Sequence, residues 1–343
     1  MIDQLVRGRL QSIHFLVLFL LGAILAGVAE LAYGGWIQIP ILSLIWYWLY
    51  QEKSSSLKYL FASGLTFGLA YFVIGLWWLY ISLHDVGGMN AALSCVAVFL
   101  LSAYMALYFG LASLTLSLLK PARTLGLCLA SSWVVMEFLR GYIFTGFPWM
   151  GLAESQFNGP FAPIAPFFGG LACTFLVIWT SWEILQLKKH TIVSFISIAT
   201  VISITQLAGL ITFTKPVGDP ITIRLIQGNF EQTLKFNPQA ISQQIDFYTN
   251  EIKKSAANLI IIPETAFPWP QNNLPTGLLN YLQNFSNTSS SNILLGLIGE
   301  VSSANGIQYT NRATGLSPRS EPYQYDKVHL VPFGEFIPPG FHR

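Results

Sequence analysis

The sequence is poor in charge. Asp, Glu, Lys and Arg make up only 10% of its 343 residues, where soluble domains carry about 25%. The net charge is just +2, which leaves no basic surface for a nucleic-acid partner and excludes that class. Cysteine is scarce as well. Cys95, Cys128 and Cys173 all lie in apolar segments and read as small buried hydrophobes. No cysteine follows residue 173, so the C-terminal part holds no disulfide even if its compartment is oxidising. No metal and no cofactor are expected, and no internal repeat or low-complexity tract stands out.

What the sequence has is long apolar runs. A bilayer core needs roughly 20 helical residues to cross, and residues 1–213 offer seven such stretches, at about 12–32, 36–50, 57–82, 90–119, 124–139, 162–186 and 191–213. The second and fifth are short. The first shows no small-residue cleavage site and is not expected to be a signal peptide. Arg7, Arg9, Lys53, Lys58, Lys120, Arg123, Lys188 and Lys189 fall in alternate loops on one side, and the opposite loops hold almost no Lys or Arg. The positive-inside rule then puts the N-terminus in the cytoplasm and the chain after Lys215 outside. Glu30, Glu137, Arg140 and Glu183 sit near span ends. Glu137 and Arg140 are spaced to pair on a helix, and interfacial anchoring is the reading their positions favour.

At Pro216 the composition changes. Residues 214–220 are a linker broken by two prolines and a glycine, and 221–343 read as a separate α/β domain. Strands are expected at Ile221–Gln227, Leu259–Ile262 and Ile293–Ile298, then at Tyr309–Gly315 and Tyr323–Val331 joined by the turn Ser317-Pro318-Arg319. Ile241, Ile245, Tyr248 and Ile252 mark an amphipathic helix over Gln239–Lys254. A second helix is expected over Leu274–Phe285, followed by a polar loop from Ser286 to Asn292.

Three places in this domain carry candidate chemistry. Glu264 follows the buried strand in Pro263-Glu264-Thr265-Ala266-Phe267-Pro268-Trp269-Pro270. A carboxylate there, beside apolar residues, suits a general base working near neutral pH, and a loop acid capping the next turn fits the spacing equally well. Lys327 lies inside a strand-like segment of Tyr325-Asp326-Lys327-Val328-His329-Leu330-Val331-Pro332-Phe333-Gly334-Glu335. Aimed into a site, it would stabilise an oxyanion; a surface lysine beside a hairpin turn is the alternative. Gln227-Gly228-Asn229-Phe230 suits a turn lining a pocket.

Taken in order, Gln227-Gly228-Asn229 with Leu234-Lys235-Phe236, Pro263 to Ala266, and Tyr325 to Glu335 resemble the apolipoprotein N-acyltransferase family. Gly75-Leu76-Trp77-Trp78-Leu79-Tyr80, Gly87-Gly88-Met89 and Gly146-Phe147-Pro148-Trp149 resemble its membrane-domain signatures. The resemblance implies a polytopic α-helical membrane domain over 1–213 and, over 221–343, the first part of a nitrilase-like αββα sandwich on the periplasmic side of a bacterial inner membrane. It implies a Glu-Lys-Cys triad with Glu264 as base, Lys327 as the oxyanion-stabilising lysine and Glu335 as a further acid. Phe236 stands where the family usually has tryptophan. The family's cysteine nucleophile lies several dozen residues beyond the lysine, and only 16 residues follow Lys327 here. The three cysteines present lie in the wrong domain, so the chain as it stands is expected to insert but not to transfer acyl groups.

The implied substrates are a phospholipid acyl donor of the phosphatidylethanolamine kind and the N-terminal diacylglyceryl-cysteine amine of an apolipoprotein. No cofactor is implied, and a monomer is expected. Phe147, Trp149, Trp269 and Phe236 are candidates for acyl-chain contact, with interfacial anchoring as the plainer role of the tryptophans. Two other classes compete. A transporter needs no such motifs on an α/β domain. A membrane-tethered amidase or nitrilase would share Glu264 and Lys327, so only the membrane signatures argue against it.

Overall fold

The computed structural model describes residues 2–118, 122–231, 237–303 and 306–330. The chain divides into two compact units, 1–215 and 216–343.

The first unit is helical. Its helices are α1 (Ile2–Ala29), α2 (Gly34–Gln51), α3 (Leu57–Gly75), the short α4 (Trp78–Ile81), α5 (Ala91–Ser113), the short α6 (Thr115–Leu118), α7 (Ala122–Arg140) and α8 (Ala165–Ala208). Among the described residues, four segments combine the length and mean hydropathy needed to cross a bilayer: Gln11–Ala29, Leu57–Gly75, Ala91–Ser117 and Ala162–Ala208. The chain is therefore an integral membrane protein. The last segment has 47 residues, and His190 leaves helical geometry within it (φ −134°, ψ 48°). That break falls between the sixth and seventh stretches read from the sequence. The third stretch ends earlier than its apolar run suggests: α3 stops at Gly75, and α4 and a π-helical turn over Ser82–Val86 follow.

The six longer helices close into a ring. In it α1 packs on α3, α3 on α5, α5 on α7, α7 on α8, α8 on α2, and α2 back on α1. Lipid tails supply no hydrophobic drive between helices, so close packing and buried hydrogen bonds hold the ring. Gly64 and Gly68 form a G-x-x-x-G stripe on α3, and a Cβ at either would meet Phe109 of α5 at 2.8–2.9 Å. Phe109 in turn lies against Trp133 of α7, with ring centroids 4.2 Å apart. Trp46 of α2 donates to Ser181 Oγ of α8 at 2.7 Å.

Interfacial anchoring does not describe Glu137, Arg140 and Glu183, whereas Glu30 is exposed as that reading expects. Arg140 is 1% exposed and Glu183 7%. Glu137 Oε1 accepts from Thr174 Oγ1 at 3.0 Å, and its Oε2 accepts from Trp133 Nε1 at 3.3 Å. The Arg140 guanidinium donates to the carbonyl of Trp149. Burial in the bundle gives Glu137 and Arg140 protein partners rather than headgroups.

The second unit is a mixed sheet with helices on one face. Its elements are β1 (Ile223–Leu225), α9 (Pro238–Lys253), β2 (Leu259–Ile261), β3 (Phe267–Pro270), α10 (Leu278–Ser289), β4 (Asn292–Ser303), β5 (Gly306–Leu316) and β6 (Tyr323–Asp326). The strand order is β1-β2-β4-β5-β6, with β3 also paired to β4. β1, β2 and β4 run parallel, and β5 and β6 are antiparallel additions. Asn237 caps α9 through Gln239 N at 3.0 Å, with Pro238 in the first turn. Ile241, Ile245, Tyr248 and Ile252 are all buried on its inner face. Each such burial is worth about 1.5–3 kcal/mol. They meet Ile260, Ile293, Leu295 and Leu297 of the sheet in one core.

Four expectations need correction. The second helix starts at Leu278, not Leu274, because Gly277 adopts a left-handed φ of 81° behind Pro275. It then runs through the stretch read as a polar loop and stops at Ser290, which is also left-handed. Phe267–Pro270 forms a strand that was not expected, with a brief and irregular pairing to β4, since its two prolines cannot donate to the ladder. Lys327 lies just beyond β6, which ends at Asp326, and not inside a strand.

Candidate active site

The site begins with a detour. β2 pairs with β4 as far as Ile261 opposite Leu294. β3 rejoins β4 with Phe267 opposite Leu297. Residues 262–266 must therefore cross a stretch that β4 covers with Leu295 and Gly296 alone. The surplus leaves the sheet as a bulge and carries Glu264 at its crest. Two features make room for it. Thr265 takes φ 53°, and a Cβ at Gly296 would lie 2.7 Å from Glu264 Cα and from Thr265 N. The bulge is tied down by Ala266 N donating to Pro263 O at 3.2 Å and by Gln244 Nε2 of α9 donating to Ala266 O at 2.9 Å.

Asn311 on β5 donates its side-chain N–H to Glu264 Oε1. Lys327 donates its backbone N–H to Asn311 O at 2.9 Å, and its Nζ lies 3.7 Å from Glu264 Oε1. The Glu264 side chain is 63% exposed and that of Lys327 32%. The enclosure expected around the carboxylate is thus absent, and its immediate partners are polar. Beside it lies a cavity of about 160 Å³ lined by Gln227 to Glu231, Gln244, Tyr248 and Pro263 to Ala266. Gly228 N donates to Tyr248 Oη at 3.2 Å, which fixes the Gln227-Gly228-Asn229 turn against α9. Burial pushes the Tyr248 hydroxyl above the ordinary tyrosine range.

A second polar group lies on the opposite face of the sheet. Arg312 donates to Asp326 through Nε at 2.7 Å and Nη2 at 2.9 Å. Thr310 Oγ1 adds a third bond to the Asp326 carboxylate at 2.6 Å. These bonds hold the Asp326 carboxyl below its ordinary range and raise that of Arg312.

The structure therefore brings Glu264 and Lys327 together. Phe147 and Trp149 belong to the first unit, where their rings stack with centroids 5.0 Å apart. Trp269, on β3, packs half-buried against the core of the second unit. Phe236 and Glu335 lie outside the described residues. Sequence reading missed Asn311, Gly296 and the Arg312–Asp326 pair. The one available signal was two polar residues, Asn311 and Arg312, at the centre of an otherwise weakly polar strand.

Residues 21–182 match the family profile described as apolipoprotein N-acyltransferase N-terminal domain. An apolipoprotein N-acyltransferase of Ralstonia nicotianae is 35% identical over 333 residues, 94% of this chain and 63% of that protein. One from Nitrosomonas europaea is 32% identical over 88% of this chain and 61% of its own length. One from Haemophilus ducreyi is 35% identical over 87% and 59%. The chain thus spans about three-fifths of the length of these curated relatives. By these matches, which together cover most of its own length, the chain is similar to apolipoprotein N-acyltransferases.

Proposed function

We propose that this chain carries the membrane domain and the base-and-lysine half of the catalytic domain of an enzyme that N-acylates apolipoproteins. The observation that supports this best is the approach of Lys327 Nζ to Glu264 Oε1, 3.7 Å, on a bulge built to present the carboxylate. Glu264 takes the proton of a cysteine thiol supplied by the remainder of the domain. The thiolate attacks an ester carbonyl of a phospholipid, for which phosphatidylethanolamine is the expected donor. The Lys327 ammonium offsets the charge developing on the carbonyl oxygen. The tetrahedral intermediate expels the lysophospholipid alkoxide, which takes the proton back from Glu264 and leaves a thioester. The amine of a diacylglyceryl-cysteine then attacks the thioester, forms the amide and releases the thiol. Glu335 is the further acid, and Phe236, Phe147, Trp149 and Trp269 are candidate contacts for the lipid substrates.

The finer architecture belongs to the same proposal: a membrane domain over 1–213 crossing seven times, a linker over 214–220, and a nitrilase-like domain from 221 in the periplasm, acting as a monomer in the inner membrane. One feature of the second unit supports the αββα reading. α9 and α10 pack on the sheet face that bears Ile260, Ile293, Leu295 and Leu316. The other face shows Ile223, Leu225, Ile307, Tyr309, Tyr323 and Tyr325, all exposed. A second sheet layer would cover such a face. Glu264, Asn311 and Lys327 lie on that same side.

The test is a chimera in which residues 1–343 are continued by the C-terminal part of the Ralstonia relative, expressed in cells depleted of their own N-acyltransferase. N-acylated lipoprotein and restored growth are expected. A chimera that inserts, hydrolyses small amides and leaves lipoproteins unacylated would favour the amidase reading instead.

A further inference from the structure

We propose that the Arg312–Asp326 fork is the device that positions Lys327 against Glu264. The function of that position rests on the acyl-transfer reading, but the geometric claim does not.

Lys327 needs such a device. β6 has four residues, and its last ladder partners are Arg312 and Asp326. Beyond them the backbone bond from Lys327 N to Asn311 O continues the pairing. A four-residue strand at the edge of the described sheet frays more readily than a long one, and fraying would carry Lys327 away from the bulge. The fork lies at that last rung. Arg312 is 8% exposed at its side chain and reaches Asp326 in bidentate fashion, at 2.7 and 2.9 Å. A bidentate pair fixes both position and orientation, which a single bond does not. Arg312 Nη1 also donates to Gln271 Oε1 at 3.2 Å, just past β3, and Thr310 Oγ1 donates to Asp326. The end of β6 is thereby fastened to β5 and to the segment after β3.

The strand makes room for the fork. A Cβ at Gly299 of β4 would lie 2.7 Å from Arg312 Cζ, so the guanidinium can lie flat across this position. β4 thus carries two glycines of opposite facing: Gly296 admits the Glu264 bulge, and Gly299 admits the fork. Side chains alternate along a strand, so holding Asp326 on one face aims the next residue, Lys327, at Glu264 on the other. Arg312 and Asp326 touch no reacting group in this scheme and are positioning residues.

Acetylation of lysines in residues 1–343 by an N-hydroxysuccinimide ester, read by mass spectrometry at Lys327 with Lys254 as internal reference, tests this without any acyl transfer. Pairing with Glu264 protects Lys327, so E264Q should speed its labelling roughly two- to fivefold, the range that half-exposed pairs allow. R312Q gives the deciding sign. Through-space electrostatics alone would slow labelling, because a nearby positive charge is lost and Asp326 is freed to pair with Lys327. Positioning predicts a rise to the E264Q rate, with no further rise in the double variant. D326N, nearly isosteric, should also reach the E264Q rate without adding to it. It decides by the same criterion if R312Q unfolds, which would be seen as faster labelling of Lys254. An R312Q rate equal to or below wild type in folded protein, or a D326N effect fully additive with E264Q, overturns the proposal. Absence of acyl transfer in the chimera would overturn the functional reading and leave this result unaffected.

Discussion

Lys327 Nζ stands 3.7 Å from Glu264 Oε1, although β4 and β5 lie between the strands that lead to the two residues. The bulge after β2 spans that gap by leaning over Gly296 to Asn311. A pair this exposed contributes about 1 kcal/mol at most, too little to explain a bulge, a left-handed Thr265 and a strand glycine on grounds of stability. These features are better accounted for by the position they give the carboxylate.

Gly296→Ala is expected to displace the bulge. The added Cβ would meet backbone atoms, which cannot rotate away, so a loss of about 1–3 kcal/mol in the second unit is expected. In the chimera, acyl-enzyme formation should fall with it. Urea unfolding and thioester yield check the two effects, and a Gly296→Ala protein of normal stability and yield would contradict the geometry.

Asp326 links stability to acid. Its carboxyl is held low, first by its hydrogen bonds from Arg312. A depressed carboxyl stabilises the fold above its unfolded pKa, about 3.9, and that contribution is lost as pH falls through the lower folded value. Unfolding followed from pH 6 to pH 2 should show this loss beginning below about pH 4. D326N should be less stable at pH 6 and should lack that share of the acid dependence. Parallel curves for the two proteins would count against it.

The expectation that failed most clearly concerns Arg140. Its buried guanidinium holds the Trp149 carbonyl, Tyr71 Oη donates to Met150 O at 3.1 Å, and Glu154 accepts from Met150 N and Gly151 N at 3.2 Å each. Arg140→Met leaves a part-buried carbonyl without its donor, at a cost of about 1 kcal/mol. The Trp149 resonance of fluorotryptophan-labelled protein, assigned with Trp149→Phe, should shift and broaden. An unchanged resonance would remove Arg140 from the support of this loop.

Much of the second unit was legible because its signals are local. The 4, 3, 4 spacing of Ile241, Ile245, Tyr248 and Ile252 names the buried face of α9, and the apolar run at Leu259 names β2. The failures were non-local or strained. Nothing near Asn311 in sequence indicates that it meets Glu264, because the contact depends on the β4–β5 register. The strand at Phe267–Pro270 has prolines that oppose it and exists because β4 offers it an edge. Interfacial placement of Arg140 was inferred from its distance to a span end, and sequence distance cannot show that a returning loop buries it.

Charge asymmetry among the loops makes topology testable. Alkaline phosphatase fused after residue 230 should be active, because the positive-inside rule puts the chain beyond Lys215 outside. A cytoplasmic reporter active at the same point, with phosphatase silent, would reverse the assignment.

The central claim is that Glu264 and Lys327 form the acyl-enzyme together with a cysteine outside residues 1–343. It is tested most directly by trapping the labelled acyl thioester from phospholipid in the chimera, in wild-type form and as E264Q and K327M. Membrane insertion should be equal in all three. The wild-type form should accumulate thioester, and each variant should lose it by several orders of magnitude, as removal of one member of a catalytic group does. Near-normal thioester in either variant, or label on Cys95, Cys128 or Cys173, would contradict the account.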